Sequence, residues 1–159
     1  MFLSHGARPE RNLLILRTVS VEPTFRLQLV VDYRVDRLPE NGMHRVSVSR
    51  YSYSILDSTR RELLSFHWHP YGRSRFTTPH LHVSGARPIA IAQRLDGDAF
   101  LLDIGKAHLP TRHVLLEDIV ELLIADPVFA VAPRRADWRR VVATNRAAQT
   151  TEGSYTESA

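Results

Sequence analysis

The hydrophobic pattern of this chain changes from a period of two to a period of about 3.6, and that change restricts the folds open to it. From residue 27 to residue 104, apolar and polar side chains largely alternate, as they do in strands with one buried face. From residue 115 onward, apolar side chains recur at helical spacing. Strands that precede helices favour an α+β fold, in which a mainly antiparallel β-sheet is followed by two C-terminal helices packed on it.

The alternation predicts six strands. They cover about residues 27–35, 45–56, 61–69, 80–83, 88–93 and 99–104. Residues 57–60 are expected to form a hairpin turn, because Asp and Ser favour turn positions. The apolar residues of the second strand change face near Arg50, which predicts a β-bulge there. Closer to the N-terminus, Pro9 favours a short helix over residues 9–16.

Two helices are predicted at the C-terminal end. The first covers about residues 115–125, with Thr111 as a candidate N-cap and the exact start left open by Arg112 and His113, and the second covers about residues 136–147. A chain of 159 residues has the size of one domain. We expect residues 1–148 to form that domain, and the small, polar residues 149–159 to be a disordered C-terminal tail.

Four of the eight histidines form two His-x-His pairs on either side of a loop at residues 70–79: His67, His69, His80 and His82. This spacing puts both rings of a pair on one face of a strand. If the strands pair antiparallel with His69 opposite His80, the other two histidines are also opposed, with Cβ atoms roughly 4.5–5.5 Å apart. Four imidazoles would then meet on one face of the sheet, with Trp68 and Leu81 on the other.

Two kinds of chemistry fit such a cluster. A divalent metal ion such as Zn²⁺, Ni²⁺, Mn²⁺ or Fe²⁺ could use three of the four imidazoles and keep an open position for water. Without a metal, His80 and His82, together with His67, could divide the acid and base roles that phosphodiester cleavage requires. The competing interpretation is that the rings are ordinary half-exposed strand residues. The sequence does not decide whether His108 or His113, near the start of the first helix, approaches the pairs.

Candidate substrate-binding residues lie close to the pairs in the sequence. Arg73 and Arg75 belong to the loop and could hold a phosphate through charge-assisted hydrogen bonds. Tyr51 and Tyr53 could stack on a base or line the pocket, although aromatic residues of a strand more often belong to a core.

Arginine supplies twenty of the 21 basic residues of a chain whose formal net charge is +4. Its planar guanidinium makes bidentate contacts with phosphate, which favours RNA or another phosphate-bearing substrate as partner. A GC-rich genome would produce the same excess without any functional meaning. Arg135, Arg139 and Arg140 could present a basic helix face to nucleic acid, or could pair with acidic residues of the preceding helix.

Several classes of protein are disfavoured. The chain has no cysteine, which excludes disulfides and thiolate metal sites. No apolar run approaches the roughly 20 residues needed to span a bilayer, and residues 1–5 lack the pattern of a secretory signal. We therefore expect a cytoplasmic protein with no membrane partner.

Three short segments follow one another between residues 51 and 83. A strand with Tyr51 and Tyr53 leads to a Leu-Asp turn at residues 56–57, and later comes Pro79-His80-Leu81-His82. In this order the region resembles the TumE-type toxins of bacterial toxin–antitoxin systems. The resemblance implies a toxin-like protein that acts on RNA, is encoded beside an antitoxin protein that would be its partner, and uses His80 and His82 as site residues.

The sequence thus favours a toxin-like small protein whose histidine-lined site acts on a phosphodiester, as a hydrolase of the ribonuclease type would. Catalysis would proceed by acid–base chemistry of histidine or by metal-assisted hydrolysis. The alternative is a non-catalytic interaction protein in which the His-x-His pairs bind a structural metal or a partner.

Overall fold

The computed structural model describes residues 13–16, 25–37, 44–71, 74–84, 89–93, 99–102 and 104–151. Within these residues, six strands form one antiparallel sheet, two strands form a separate hairpin, and two helices follow at the C-terminal end. The helices pack on the large sheet through a shared hydrophobic core. The predicted α+β class is therefore confirmed.

The large sheet has the strand order β1-β2-β3-β4-β5-β8, and each neighbouring pair is antiparallel. The strands are β1 (Leu13–Leu16), β2 (Phe25–Arg37), β3 (His44–Leu56), β4 (Glu62–Trp68), β5 (His80–His82), β6 (Ile89–Gln93), β7 (Ala99–Leu102) and β8 (Leu109–Pro110). β6 and β7 pair with each other. The six predicted strands correspond to β2–β7, whereas β1 and β8 were not predicted.

The longest pairing, between β2 and β3, contains the predicted β-bulge. Asp32 pairs with Arg50 and Tyr33 pairs with Val48, so Ser49 is the extra residue in β3. The Ser49 hydroxyl donates a hydrogen bond of 3.2 Å to the carbonyl oxygen of Asp32. The bulge lets the apolar residues on both sides of it face the same core although their sequence phase changes.

The turn between β3 and β4 forms as its composition predicts. The Asp57 carboxylate accepts hydrogen bonds from the backbone N–H groups of Thr59 at 2.8 Å and of Arg61 at 2.9 Å. These bonds are typical of an Asp that starts a turn. Arg60 follows with φ at 69°, in the left-handed region that favours glycine.

The helix predicted over residues 9–16 is wrong where it can be compared. Residues 13–16 form β1, an edge strand that pairs with residues 25–28 of β2; residues 9–12 lie outside the described part of the chain. A short run of consecutive apolar residues carries no periodicity, so only the pairing partner distinguishes a strand from a helical turn.

The first helix, α1 (Leu116–Ala125), begins within one residue of its predicted start. Its N-cap is Leu115 and not Thr111. The Leu115 N–H donates to the Asp118 carboxylate at 3.0 Å, which satisfies a backbone donor at the helix start. The Thr111 N–H donates instead to the Pro79 carbonyl at 2.9 Å and continues the pairing of β5 with β8.

The second helix, α2 (Trp138–Thr151), starts two residues after its predicted start and ends four residues after its predicted end. Residues 149–151, which were assigned to a disordered tail, are its last turn; residues 152–159 lie outside the described part of the chain. That residues 1–148 form one domain stays a prediction.

One face of the sheet forms the hydrophobic core together with the helices. Its buried members are Phe25, Leu27, Tyr51, Tyr53, Ile55, Trp68, Val114, Ile119, Leu123, Phe129 and Val131. Tyr51 and Tyr53 stack on each other with ring centroids 4.8 Å apart. The Val114 N–H donates to the Tyr51 hydroxyl oxygen at 2.9 Å, and burial raises the pKa of Tyr51 to about 12. Burial of side chains such as Ile119 contributes about 1.5–3 kcal/mol each.

Neither helix in the described part of the chain combines the length and the apolar composition needed to cross a bilayer. The cytoplasmic location stays a prediction.

Candidate metal centre

The face of the sheet opposite the core is polar where β3, β4 and β5 meet. Tyr51 pairs with Trp68 on the core face, so their neighbours Ser52 and His67, which also pair, lie on the polar face. Each strand therefore supplies one row of side chains to the core and the other row to this second face.

The register between β4 and β5 differs from the one used in the sequence analysis. His67 pairs with His80, and Ser65 pairs with His82, so the expected opposition of His67 to His82 and of His69 to His80 is wrong. The difference is a shift of two residues along one strand. Because side chains alternate with a period of two, a two-residue shift keeps all four imidazoles on the predicted face.

The four imidazoles converge on this face. The ring centroid of His67 lies 5.3 Å from that of His82, 5.5 Å from that of His69 and 5.8 Å from that of His80. The centroids of His80 and His82 are 5.0 Å apart. His69 follows the last residue of β4, and its ring contacts that of His80 at 5.5 Å.

A fifth histidine, His108, joins the cluster from the far side. It precedes β8, which pairs with β5 so that Leu109 lies opposite Leu81; the next position in this register places residue 108 opposite residue 82. Its ring centroid lies 4.3 Å from that of His82 and 4.9 Å from that of His80. Phe76 of the 70–79 loop stacks on the ring of His108, with centroids 3.7 Å apart and planes at 10°.

Three of the five histidines could hold a metal ion. One ring nitrogen from each of His80, His82 and His108 lies within 4.8 Å of the others. The metal ligands named from the sequence were His67, His69, His80 and His82. Of these four, His80 and His82 belong to the group of three, and His108 is its third member. His67 and His69 lie beside the group.

The ring of His80 is oriented by a backbone hydrogen bond. Its Nδ1 donates to the carbonyl oxygen of Thr78 at 2.7 Å, because a carbonyl can only accept. The lone pair of the neutral ring is therefore on Nε2. Metal-bound histidines commonly donate their second nitrogen in this way, which fixes both the tautomer and the ring orientation. The residue is only 2% exposed, so the orientation is also held by packing.

Burial disfavours the charged form of three of these histidines, His67, His69 and His82. Burial is the largest cause that lowers the pKa of His67, to about 4, and the positive charge that His82 would carry lowers it further. Burial also lowers the pKa values of His69 and His82, followed by charges on neighbouring histidines and, for His69, on Arg50. The neutral imidazole is the form that binds a metal.

A chain of hydroxyl groups connects His67 to a carboxylate. The Glu62 carboxylate lies 3.1 Å from the Ser54 hydroxyl, which lies 2.6 Å from the Ser65 hydroxyl, which in turn lies 2.5 Å from Nε2 of His67. Ser65 is completely buried and Ser54 is 6% exposed. The other oxygen of Glu62 accepts a hydrogen bond from the Ser84 hydroxyl at 2.7 Å.

An arginine that was not predicted lies at the edge of the cluster. Tyr51 pairs with Trp68, so the next position in the register places Arg50 beside His69. The Arg50 guanidinium forms an ion pair with Asp32 at 2.8 Å, and both side chains are about half exposed. The positive charge of Arg50 is one of the causes that lower the pKa of His69, after burial and the charge on His80.

The substrate-binding residues predicted from the sequence have three different outcomes. Tyr51 and Tyr53 are buried in the core on the opposite face, so their expected contact with a substrate is wrong. Tyr51 and Tyr53 occupy alternate positions of β3 and so share the face on which the helices pack. The serines next to them in the strand lie on the other face. Arg75 lies exposed in the 70–79 loop, and Arg73 lies outside the described residues.

Arg139 and Arg140 of α2, and Arg135 just before its start, contact neighbouring side chains. Arg135 and Arg140 form ion pairs with Asp137, and the Arg139 guanidinium lies 4.6 Å from the centroid of the Trp138 ring. Arg146 pairs with acidic residues of α1. The predicted pairing of Arg135, Arg139 and Arg140 with acidic residues of the preceding helix is therefore wrong for Arg135 and Arg140, whose partner Asp137 lies between the two helices.

The grouping of His108 with the pairs was not predicted from the sequence. Four residues around the cluster were also not predicted: Glu62, Ser54, Ser65 and Arg50. One signal was present in the sequence: Ser54 and Ser65 follow the same alternation that places the histidines on one face. The contribution of His108 depends on β8, a strand of two residues that carries no pattern of its own.

Comparison with known proteins does not extend these observations. No protein family, no curated protein and no solved structure matches the chain. The resemblance of residues 51–83 to TumE-type toxins stays a prediction.

Proposed function

We propose that this protein is a metal-dependent hydrolase that cleaves a phosphodiester bond, with a divalent metal ion held by His80, His82 and His108. The observation that carries the proposal is the convergence of one nitrogen from each of these residues to within 4.8 Å. The hydrogen bond from Nδ1 of His80 to Thr78 supports it, because it leaves Nε2 free to coordinate.

The donor set indicates which metals fit. Imidazole suits Zn²⁺, Ni²⁺ and Fe²⁺, whereas Mn²⁺ prefers carboxylate and water ligands, so we rank Mn²⁺ last among the four candidates. In the tetrahedral geometry typical of zinc, two nitrogens that each lie about 2.0–2.1 Å from the ion are roughly 3.4 Å apart. Binding therefore requires the three nitrogens, which lie within 4.8 Å of one another, to draw closer together.

Three protein ligands are typical of a catalytic zinc site, because a fourth position stays open for water or substrate. A metal in this position would supply an activated water and polarise a phosphoryl oxygen. His67 and His69 lie beside the three ligands and, as neutral imidazoles, could accept a hydrogen bond from a water or a substrate hydroxyl.

The choice of a phosphodiester as substrate is supported by charge. Arg50 lies next to His69, and Arg75 belongs to the loop that carries Phe76 over His108. Guanidinium groups beside a metal could hold the non-bridging oxygens of a phosphate. RNA is the proposed substrate, and a toxin-like role with a neighbouring antitoxin is the biological setting that we propose for it.

The metal is tested first, with a pair of histidine variants. Purified metal-free protein is titrated with Zn²⁺, Ni²⁺ and Mn²⁺ by calorimetry. We expect one ion per chain and a loss of affinity of about 100-fold or more in His108→Ala, since a ligand is removed. His113→Ala is the matched control: its ring contacts Trp68 on the core face and is expected to leave the affinity unchanged. Equal affinities for both variants and the unaltered protein would contradict the site.

The reaction is tested separately on RNA oligonucleotides and by growth inhibition on expression. We expect cleavage that depends on the metal and is abolished in the double variant His80→Ala and His82→Ala while the circular dichroism spectrum is kept. Tight metal binding without cleavage would support the alternative, a structural metal in an interaction protein. Cleavage that persists in the double variant would exclude this site as the catalytic centre.

A further inference from the structure

In the chain of hydroxyls between Glu62 and His67, the partners determine which atom donates the proton in each hydrogen bond. A carboxylate accepts hydrogen bonds and donates none, so in the bond between Glu62 and Ser54 the proton belongs to Ser54. A serine hydroxyl carries one proton. The proton between the two serine oxygens, which are 2.6 Å apart, must therefore come from Ser65.

The direction of these bonds also determines which nitrogen of the His67 imidazole carries a proton. Since the proton of Ser65 points to Ser54, the proton in the 2.5 Å contact between Ser65 and His67 is carried by Nε2 of the imidazole. This result does not depend on whether the ring is neutral or charged, because Nε2 donates in both cases. In the neutral ring, the lone pair is then on Nδ1.

Burial makes the direction costly to reverse. Ser65 is completely buried and Ser54 nearly so, so water cannot take over either role. A buried hydroxyl without an acceptor costs about 1–3 kcal/mol. Glu62, only partly buried, is held in place by a second bond from Ser84.

We propose that Glu62 is a positioning residue that acts through Ser54 and Ser65 to hold His67 as the Nε2–H tautomer, with Nδ1 as its accepting nitrogen. His67 contacts the rings of His80 and His82, so this nitrogen belongs to the surroundings of the proposed metal. The tautomer stands on the hydrogen bonds alone, whereas its use in orienting a water or a substrate hydroxyl rests on the proposed function.

The tautomer can be measured directly. Long-range ¹H–¹⁵N correlation spectra distinguish the protonated from the unprotonated nitrogen of each neutral imidazole. We would record them on metal-free protein with a chelator at about pH 8, where an ordinary histidine is neutral. The expected result for His67 is a single Nε2–H tautomer. A single Nδ1–H tautomer in the unaltered protein would overturn the proposal.

Variants test whether the carboxylate sets this direction. In Ser54→Ala the buried Ser65 hydroxyl loses its acceptor, so we expect it to donate to Nε2 and convert His67 to the Nδ1–H tautomer. Glu62→Gln can donate to Ser54 through its amide, and we expect the Nδ1–H form to appear there as well. Ser84→Ala, which removes the other bond to Glu62, is the control and should keep the Nε2–H form. Retention of the Nε2–H form in Ser54→Ala would overturn the proposal whatever the Gln variant shows.

A kinetic measurement separates this proposal from the proposed function. If both hold, Ser54→Ala lowers kcat about 10-fold to 100-fold while the zinc affinity stays within about two-fold. Unaltered protein that shows the predicted tautomers but binds no metal would refute the proposed function and leave the tautomer assignment standing. A metal-dependent activity in a protein whose His67 is the Nδ1–H tautomer would support the proposed function and refute the tautomer assignment.

Discussion

The two faces of the β3–β4–β5 region are built from the same strands but differ in character: one is an apolar core, and the other is a polar face lined with histidines. One face carries Tyr51 and Trp68 into a core closed by the helices, and the other carries Ser65, His67 and His80. Adjacent residues of one strand, such as His67 and Trp68, therefore belong to different environments. Residues that stabilise the fold and residues of the candidate site therefore follow one another directly in the chain. They are kept apart only because successive side chains of a strand point to opposite faces.

The largest expected effect compares these two neighbours. Trp68→Ala should lower the free energy of unfolding by about 3–5 kcal/mol, because it removes a large buried side chain from the core. His67→Ala, on the half-buried face, should cost about 1 kcal/mol or less. Urea denaturation of both metal-free variants measures the difference. Similar losses would mean that the two faces contribute equally to stability.

A metal should stabilise the protein through the polar face alone. At a free Zn²⁺ concentration of about 100 times its dissociation constant, the free energy of unfolding should rise by about 2.7 kcal/mol. Thermal denaturation with zinc, and again after addition of a chelator, measures the gain and its reversal. His108→Ala should lose the gain, whereas Ile119→Val, a small change in the core, should keep it despite a lower starting stability. A gain that survives in His108→Ala would place the metal elsewhere.

The polar face should also make the metal-free protein sensitive to acid. The pKa of His67 is lowered to about 4 by burial, below the 6.5 of the unfolded chain, so the unfolded state binds more protons between these values. Stability is thus fully present above about pH 6.5 and is lost as the pH falls towards 4. Because the ring is only partly buried, solvent screening reduces the loss to roughly 1 kcal/mol.

Equilibrium unfolding at several pH values tests the sign of this dependence. His67→Gln cannot titrate and should flatten the curve over that interval, although His69 and His82, whose pKa values are also lowered, keep part of the slope. A stability that rises on acidification would contradict the burial of neutral imidazoles.

The smallest expected effect concerns the turn between β3 and β4. Arg60 has φ at 69°, where a Cβ atom is unfavourable. Arg60→Gly should stabilise the protein by up to about 1 kcal/mol, the relief of strain being partly offset by the greater entropy of glycine in the unfolded chain. Its neighbour Thr59→Gly should destabilise it, because the Thr59 hydroxyl bonds to Asp57. Neither change should alter the affinity for zinc, which calorimetry would check.

Local pattern was sufficient for six of the eight described strands, β2–β7, and for the common face of the two His-x-His pairs. The alternation around His67 and Trp68 predicts which of them is buried, and it holds even though the expected strand register was wrong by two residues. The same pattern could not identify the roles of Tyr51 and Tyr53, since a strand aromatic suits a core and a binding site equally well. Only the helices packed against them make that face the core.

Residues that are far apart in the chain were decided by the tertiary structure. His108 reaches His82 because a two-residue strand, β8, closes the sheet against β5, and so short a strand has no recognisable periodicity. Likewise, Glu62 reaches His67 through Ser54 of the neighbouring strand, a path that exists only once β3 and β4 have paired. The sequence by itself determined the fold class and the common face of the two His-x-His pairs, because both follow from local backbone geometry. Which three histidines come close enough to hold a metal ion, and which carboxylate is linked through two serines to a fourth, were decided by contacts between strands, because strand order and register depend on the packing of the whole sheet.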